Sequence, residues 1–126
     1  MQRVTGIGGV FFKSKDPQNL SAWYEKHLGL KSEQNVIFFH WRDANTNAPG
    51  TTLLSFFPQD TKYFEPSSSP LMMNYRVENL DELLEVLRAE GVQVDDKREN
   101  SEYGRFAWIT DPDGNRIELW EPPAGT

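Results

Sequence analysis

The stretch ITDPDGNRIELWEP, residues 109–122, places one carboxylate, Glu118, between Ile117 and Leu119 and just before Trp120. Side chains alternate across a strand, so Arg116, Glu118 and Trp120 share one face while Ile117 and Leu119 share the other. If the Glu118 face lines a cleft, its apolar neighbours disfavour the ionised form and tune the acid toward general acid–base work. The same carboxylate can accept a hydrogen bond from a ligand amine or hydroxyl. The alternative is an ion pair with Arg116 or Arg76 at an open sheet surface, where most charged strand residues sit. His40, in the strand FFHWR, is the other candidate donor facing a cavity, whereas His27 lies on a helix beside Glu25 and Lys26. The chain has no cysteine, which removes disulfides, thiolate zinc sites and a cysteine nucleophile together. No nucleophile–base pair, phosphate-binding glycine loop or dinucleotide fingerprint is found by spacing.

The elements that must position Glu118 follow from periodicity and turn chemistry. TGIGGVFFKSK reads as a strand centred on Val10, Phe11 and Phe12. Asp16 caps a helix with Pro17 at its first position, Leu20, Trp23, Tyr24 and Leu28 at helical spacing, and Gly29 at its end. VIFFHWRD (36–43) and TTLLSFF (51–57) read as strands separated by the turn-forming DANTNAPG. FEPSSSP (64–70) is linker-like. The pattern then repeats: LMMNYRV (71–77) is a strand, and Asn79 with Glu82 forms a capping box. Leu80, Leu83, Leu84 and Leu87 share one helical face, and Gly91 closes the unit. RFAWIT (105–110) and RIELWEP (116–122) form a closing hairpin, while NSEYG (100–104) fits either a loop or the end of a preceding strand. The two caps and the two glycines recur at nearly equal spacing, the signature of a duplicated unit. One domain over residues 1–126 is expected, with modules at about 4–63 and 71–123 joined by a linker at about 64–70.

Strand alternation also groups Met72, Asn74 and Arg76, and separately Leu53, Ser55 and Phe57. With Gly9 and Phe11 they make a mostly apolar cup with Asn74, Ser55 and Glu118 as polar hooks. Trp41, Trp108 and Trp120 are candidates to line it, and Trp41 and Trp108 could stack a planar ligand. Tyr103 and Arg105 fall where the lip of such a cup would lie. The net charge of −6 opposes nucleic acid and anionic membrane as partners. The opening MQRVTGIGGVFFKSKD has no uninterrupted apolar run or small-residue cleavage site, and no segment approaches a membrane span, so a cytoplasmic location is expected.

FFKSKDPQNLSAWYEKHLGL resembles the opening of the vicinal oxygen chelate superfamily, and WITDPDGNRIELWEP resembles its closing hairpin. The superfamily contains glyoxalase I, bleomycin-resistance proteins and extradiol dioxygenases, and small bacterial glyoxalase-like proteins are the most similar group. The resemblance, spanning about Val4 to Pro123, implies an α+β fold of two βαβββ modules forming a paired half-barrel around a ligand. It also implies a homodimer. Metal-dependent members take four ligands from the first and last strands of each module. Counted from the caps, those positions fall on Gly9, Leu53, Met72 and Glu118, and only Glu118 is a suitable donor. The expectation is therefore a protein that binds a small, partly apolar molecule without metal. Two alternatives stand beside it. One is a lyase, isomerase or dioxygenase using a divalent ion such as Zn, Ni, Mn or Fe, held by Glu118 and His40. The other is a metal-free enzyme with Glu118 as general base.

Overall fold

The computed structural model describes residues 2–126. Its elements run β1 (Val4–Ser14), α1 (Pro17–Leu28), β2 (Val36–Arg42), β3 (Pro49–Pro58), β4 (Leu71–Val77), α2 (Leu80–Ala89), β5 (Gln93–Ser101), β6 (Gly104–Thr110) and β7 (Arg116–Glu121). All seven strands join one sheet in the order β2-β3-β1-β4-β7-β6-β5. Each module pairs its first and last strands in parallel, β1 with β3 and β4 with β7. The modules meet edge to edge through the antiparallel β1–β4 pair. The C-terminal module is βαβββ, but the N-terminal one has three strands where four were expected. Between α1 and β2 only the isolated bridge Glu33–Val36 forms, because Gln34 and Asn35 both adopt positive φ and turn the chain too tightly to extend.

Local chemistry accounts for the helices. The Asp16 and Asn79 side chains accept from the amides of Asn19 and Glu82, and Gly29 closes α1 in the left-handed conformation. Helix α2 ends at Ala89, with Glu90 as cap and Gly91 following at φ 84°. Its face Leu80, Leu83 and Leu84 packs on Val77, Ala107 and Leu119 from the sheet. Residues 100–104 divide between the end of β5 and a tight turn into β6.

Both helices lie on one face, which leaves the other to form the cup. Residues 59–70 do not behave as a free linker. They cross the concave face as a strap and plug part of it with Phe64, which is 0% exposed among Phe11, Met72 and Trp108. Burying that one ring stabilises the strap by about 2 kcal/mol. Arg116, two residues before Glu118 on β7, reaches up and latches it. Its Nη1 donates to the carbonyls of Tyr63 (2.6 Å) and Glu65 (2.7 Å), its Nη2 donates to Asp95 (3.2 Å), and the guanidinium lies 4.9 Å from the Trp108 ring centre. Replacing this buried cation leaves two carbonyls without their charged donor. Arg116→Ala is expected to lose about 3 kcal/mol in denaturant unfolding and to make residues 59–70 the first site of limited proteolysis. Arg116→Lys, which keeps the charge without the fork, should recover part of that loss.

Candidate functional site

The sheet register puts the site residues in a single row. Phe38 pairs with Leu53, Leu53 with Gly9, Gly9 with Asn74, Asn74 with Glu118, and Glu118 with Trp108. Glu118 is 1% exposed at the floor of the cup. Three donors converge on it: the Tyr63 hydroxyl on Oε1, the Trp108 indole N–H on Oε1 at 3.2 Å, and the Asn74 amide on Oε2. A carboxylate offers roughly four acceptor directions, so one on Oε2 is left. Burial pushes the acid's pKa above the usual carboxylate range, against the three hydrogen bonds, which favour the charged form. Burial and the neighbouring Glu118 charge likewise raise the Tyr63 phenol, which stays a donor. Neither Arg116 nor Arg76 pairs with Glu118, so the open-surface ion pair is excluded. Arg116 holds the strap. Arg76 lies between the rings of Trp41 and Trp120, 5.3 Å from each, and donates to the carbonyls of Thr51 and Thr126.

Above this floor lies a cavity of about 750 Å³. Of the residues expected around a ligand, Phe11, Leu53, Asn74, Tyr103, Trp120 and Glu118 line it, and so does His40. The others need correcting. Trp108 is 0% exposed, with its N–H committed to Glu118, so it cannot stack a ligand. Trp41 donates to Thr52 Oγ1 at 2.8 Å and packs on Arg76 beyond the cavity wall. Met72 is buried with Phe64 under the strap, and Ser55, in register with Phe11, is buried outside the lining. Arg105 points away and pairs with Asp81 at 3.0 Å.

Sequence reasoning missed Tyr63, Phe38, Phe106, Glu33 and Glu102. Phe38 and Phe106 were legible by strand alternation, since each shares a parity with a residue already assigned to the cup, His40 or Trp108. The signal for Tyr63 was an aromatic pair, Tyr63–Phe64, entering a stretch otherwise suited to a linker.

A bulge in β1 around Gly8 and Gly9 makes room for this arrangement. A Cβ on Gly8 would lie 2.1 Å from Asn74 Oδ1, and one on Gly9 would lie 2.6 Å from the Phe11 ring. The register also moves one family position. The partner of Glu118 across the parallel pair, equivalent to Gly9 beside Leu53, is Asn74 and not Met72. The four positions are therefore glycine, leucine, asparagine and glutamate. Asn74 turns its amide N–H toward the acid, and its Oδ1 is buried without a partner. A divalent ion needs converging lone pairs, but the groups around Glu118 present hydrogens. The donor set does not fit a metal. Among the described residues no cluster of three or more His, Asp or Glu is found elsewhere.

This curled sheet, with its cup and its two related modules, has known counterparts. Residues 6–119 match the model of the Glyoxalase/Bleomycin resistance protein/Dioxygenase superfamily, and the chain belongs to that superfamily. Among solved structures, the methylmalonyl-CoA epimerase of Mycobacterium tuberculosis is 24% identical over 98% of this chain and 91% of its own, at TM-score 0.62. A variant of the Streptomyces coelicolor methylmalonyl-CoA epimerase in complex with 2-nitronate-propionyl-CoA is 18% identical over 98% and 99%, at TM-score 0.70. A Legionella pneumophila structure described as an NAD-dependent benzaldehyde dehydrogenase is 17% identical over 91% and 98%, at TM-score 0.61. These likenesses concern the fold. A comparison with curated proteins gave no match.

The raised pKa of Glu118 has a definite consequence for stability. The folded protein holds this proton more tightly than the unfolded chain does. The associated stability is therefore fully present below the unfolded carboxylate value of about 4.3 and is lost as pH climbs through the raised folded value. Glu118→Gln lacks that slope, and Asn74 can turn its unpartnered Oδ1 toward the new amide. Denaturant midpoints measured from pH 4 to 8 should show the wild type losing ground to Glu118→Gln as pH rises. Parallel curves would contradict the assignment.

Proposed function

We propose that the protein binds a small, partly apolar organic molecule in the cup, without a metal, using Glu118 as the polar anchor at its floor. The observation that carries this reading is the composition of the row. The four positions that hold the ion in metal-dependent relatives are here Gly9, Leu53, Asn74 and Glu118, and they adjoin a cavity walled by Phe11, Phe38, Leu53, Phe106 and Trp120. Such a cavity recognises shape and apolar area, with a few polar groups fixing orientation. The epimerase neighbours are named for methylmalonyl-CoA, whose acyl group carries a carboxylate. This cavity is lined by Glu33 and Glu102 and by no lysine or arginine among the described residues, which argues against the same acyl group here.

A second reading has an observation of its own. Glu118 is an acid with a raised pKa, in contact with a phenol, at the floor of a ligand-sized space. That combination suits proton abstraction next to a ligand carbonyl, which would make the protein a metal-free enzyme. A homodimer and a cytoplasmic location complete the proposal. Half-exposed Trp23, Leu28 and Phe39 favour the first.

The neutral fluorescent probe N-phenyl-1-naphthylamine tests the cup directly. It should bind protein purified without a polyhistidine tag, bind equally well after EDTA treatment, and weaken at least ~10-fold in Leu53→Asp, which places a charge on the apolar wall. Loss of binding on chelation, or stoichiometric metal removable by chelator, would overturn the metal-free reading.

A further inference from the structure

The cavity has a charge pattern that its apolar character does not require. Three carboxylates line it, namely Glu33, Glu102 and Glu118, while no lysine or arginine does among the described residues. Glu33 precedes β2 at one end of the sheet, and Glu102 sits in the β5–β6 turn at the other. The curl of the sheet is what brings them to one opening. Neither takes part in the salt bridges found among the described residues, which are Arg3–Glu90, Arg98–Asp81, Arg105–Asp81 and Arg116–Asp95.

The cations around the site stay out of the cavity lining. Arg116 is spent on the strap carbonyls, and Arg76 is spent on Thr51, Thr126 and two tryptophans. Lys97 lies over the rings of Trp108 and Tyr63, at 5.0 and 5.9 Å from their centres. His40, the one remaining basic side chain in the wall, stands with its Nδ1 3.3 Å from Thr51 Oγ1.

Aromatic rings stand beside these acids. Phe38 is 45% exposed and Tyr103 is 68% exposed, and both line the cavity with Phe11, Phe106 and Trp120. A ring face attracts a cation through its quadrupole, and a carboxylate nearby adds to the attraction. The molecule already uses one wall this way, since Trp120 holds the Arg76 guanidinium at 5.3 Å. An anionic ligand would meet the carboxylates of Glu33 and Glu102 at the opening, with no lysine or arginine in the lining among the described residues to offset them.

We infer that the cup selects an organic cation, an apolar or aromatic body carrying a protonated amine, with the body against Leu53 and the rings and the ammonium between Glu33 and Glu102. The acceptor direction left on Glu118 Oε2 lies at the floor for a second donor of the same ligand. This inference rests on the cup being a ligand site.

Three isosteric probes separate the two ideas: 2-(aminomethyl)naphthalene, 2-naphthalenemethanol and 2-naphthoate, titrated by calorimetry at low salt. The amine should bind about tenfold tighter than the alcohol, with the carboxylate weakest. Added salt should shrink the difference. The Glu33→Gln/Glu102→Gln double variant should reduce the gap between amine and alcohol to less than threefold. An alcohol that binds as well as the amine, or a carboxylate that binds best, overturns the cationic assignment and leaves the cup standing. So does failure of all three while N-phenyl-1-naphthylamine is still held. Failure of that neutral probe as well overturns both.

Discussion

Removing a carboxylate from water costs several kcal/mol unless hydrogen-bond donors replace the lost solvent, and in this chain most of the local architecture follows from meeting that demand at Glu118. Its donors come from three separate places: Asn74 on β4, Trp108 on β6, and Tyr63 on the strap. The first two are delivered by sheet register. The third is held only if residues 59–70 stay down, and Arg116 on the same strand as the acid does the holding. One face of β7 thus sets the latch with Arg116, the floor with Glu118 and a wall with Trp120. Burial of Phe64 and the Arg116 latch act together, so the strap and the acid are stabilised as a unit.

Much of this was legible in the sequence because alternation is a local rule. The faces Arg116/Glu118/Trp120 and Met72/Asn74/Arg76 follow from strand parity, and Asp16, Asn79 and the leucines of α2 follow from cap chemistry and period. Three things resisted, each for a physical reason. β5, with the sequence QVDDKRENS, is an edge strand facing water, so it carries no apolar alternation to mark it. Counting back from the caps misplaced one row position because β1 continues from Gly9 to Ser14, whereas β4 continues from Asn74 only to Val77. Equal counts therefore land on different rows. The strap reads as a linker because what orders it is a distant arginine rather than any periodicity of its own.

The tryptophans illustrate a further limit. Sequence offers Trp41, Trp108 and Trp120 as equal candidates for a ligand wall, and parity cannot rank them, because what decides is where each indole N–H finds its acceptor. Trp108 spends its N–H on Glu118 and is sealed in. Trp120 donates to the Tyr103 carbonyl at 2.8 Å and stacks parallel to Phe106, which fixes it at the cavity margin. Trp41, bonded to Thr52, turns its ring to Arg76. A polar atom on an apolar body determines which aromatic is structural and which is available.

The metal-free reading and the preference for a cation are two sides of one electrostatic argument. In a site of this geometry a divalent ion would supply positive charge at the centre, and acids around it would be neutralised by it. Here the central positions are glycine, leucine and asparagine, and the hydrogen-bond donors that stand in for an ion stabilise only Glu118. They carry partial charges and do not cancel those of Glu33 and Glu102 at the opening. The field at the mouth is therefore left negative, over walls whose ring faces also favour positive charge. On the proposed reading, glycine, leucine and asparagine at the central positions change more than the chemistry at the floor: they also turn the cup toward a positively charged ligand.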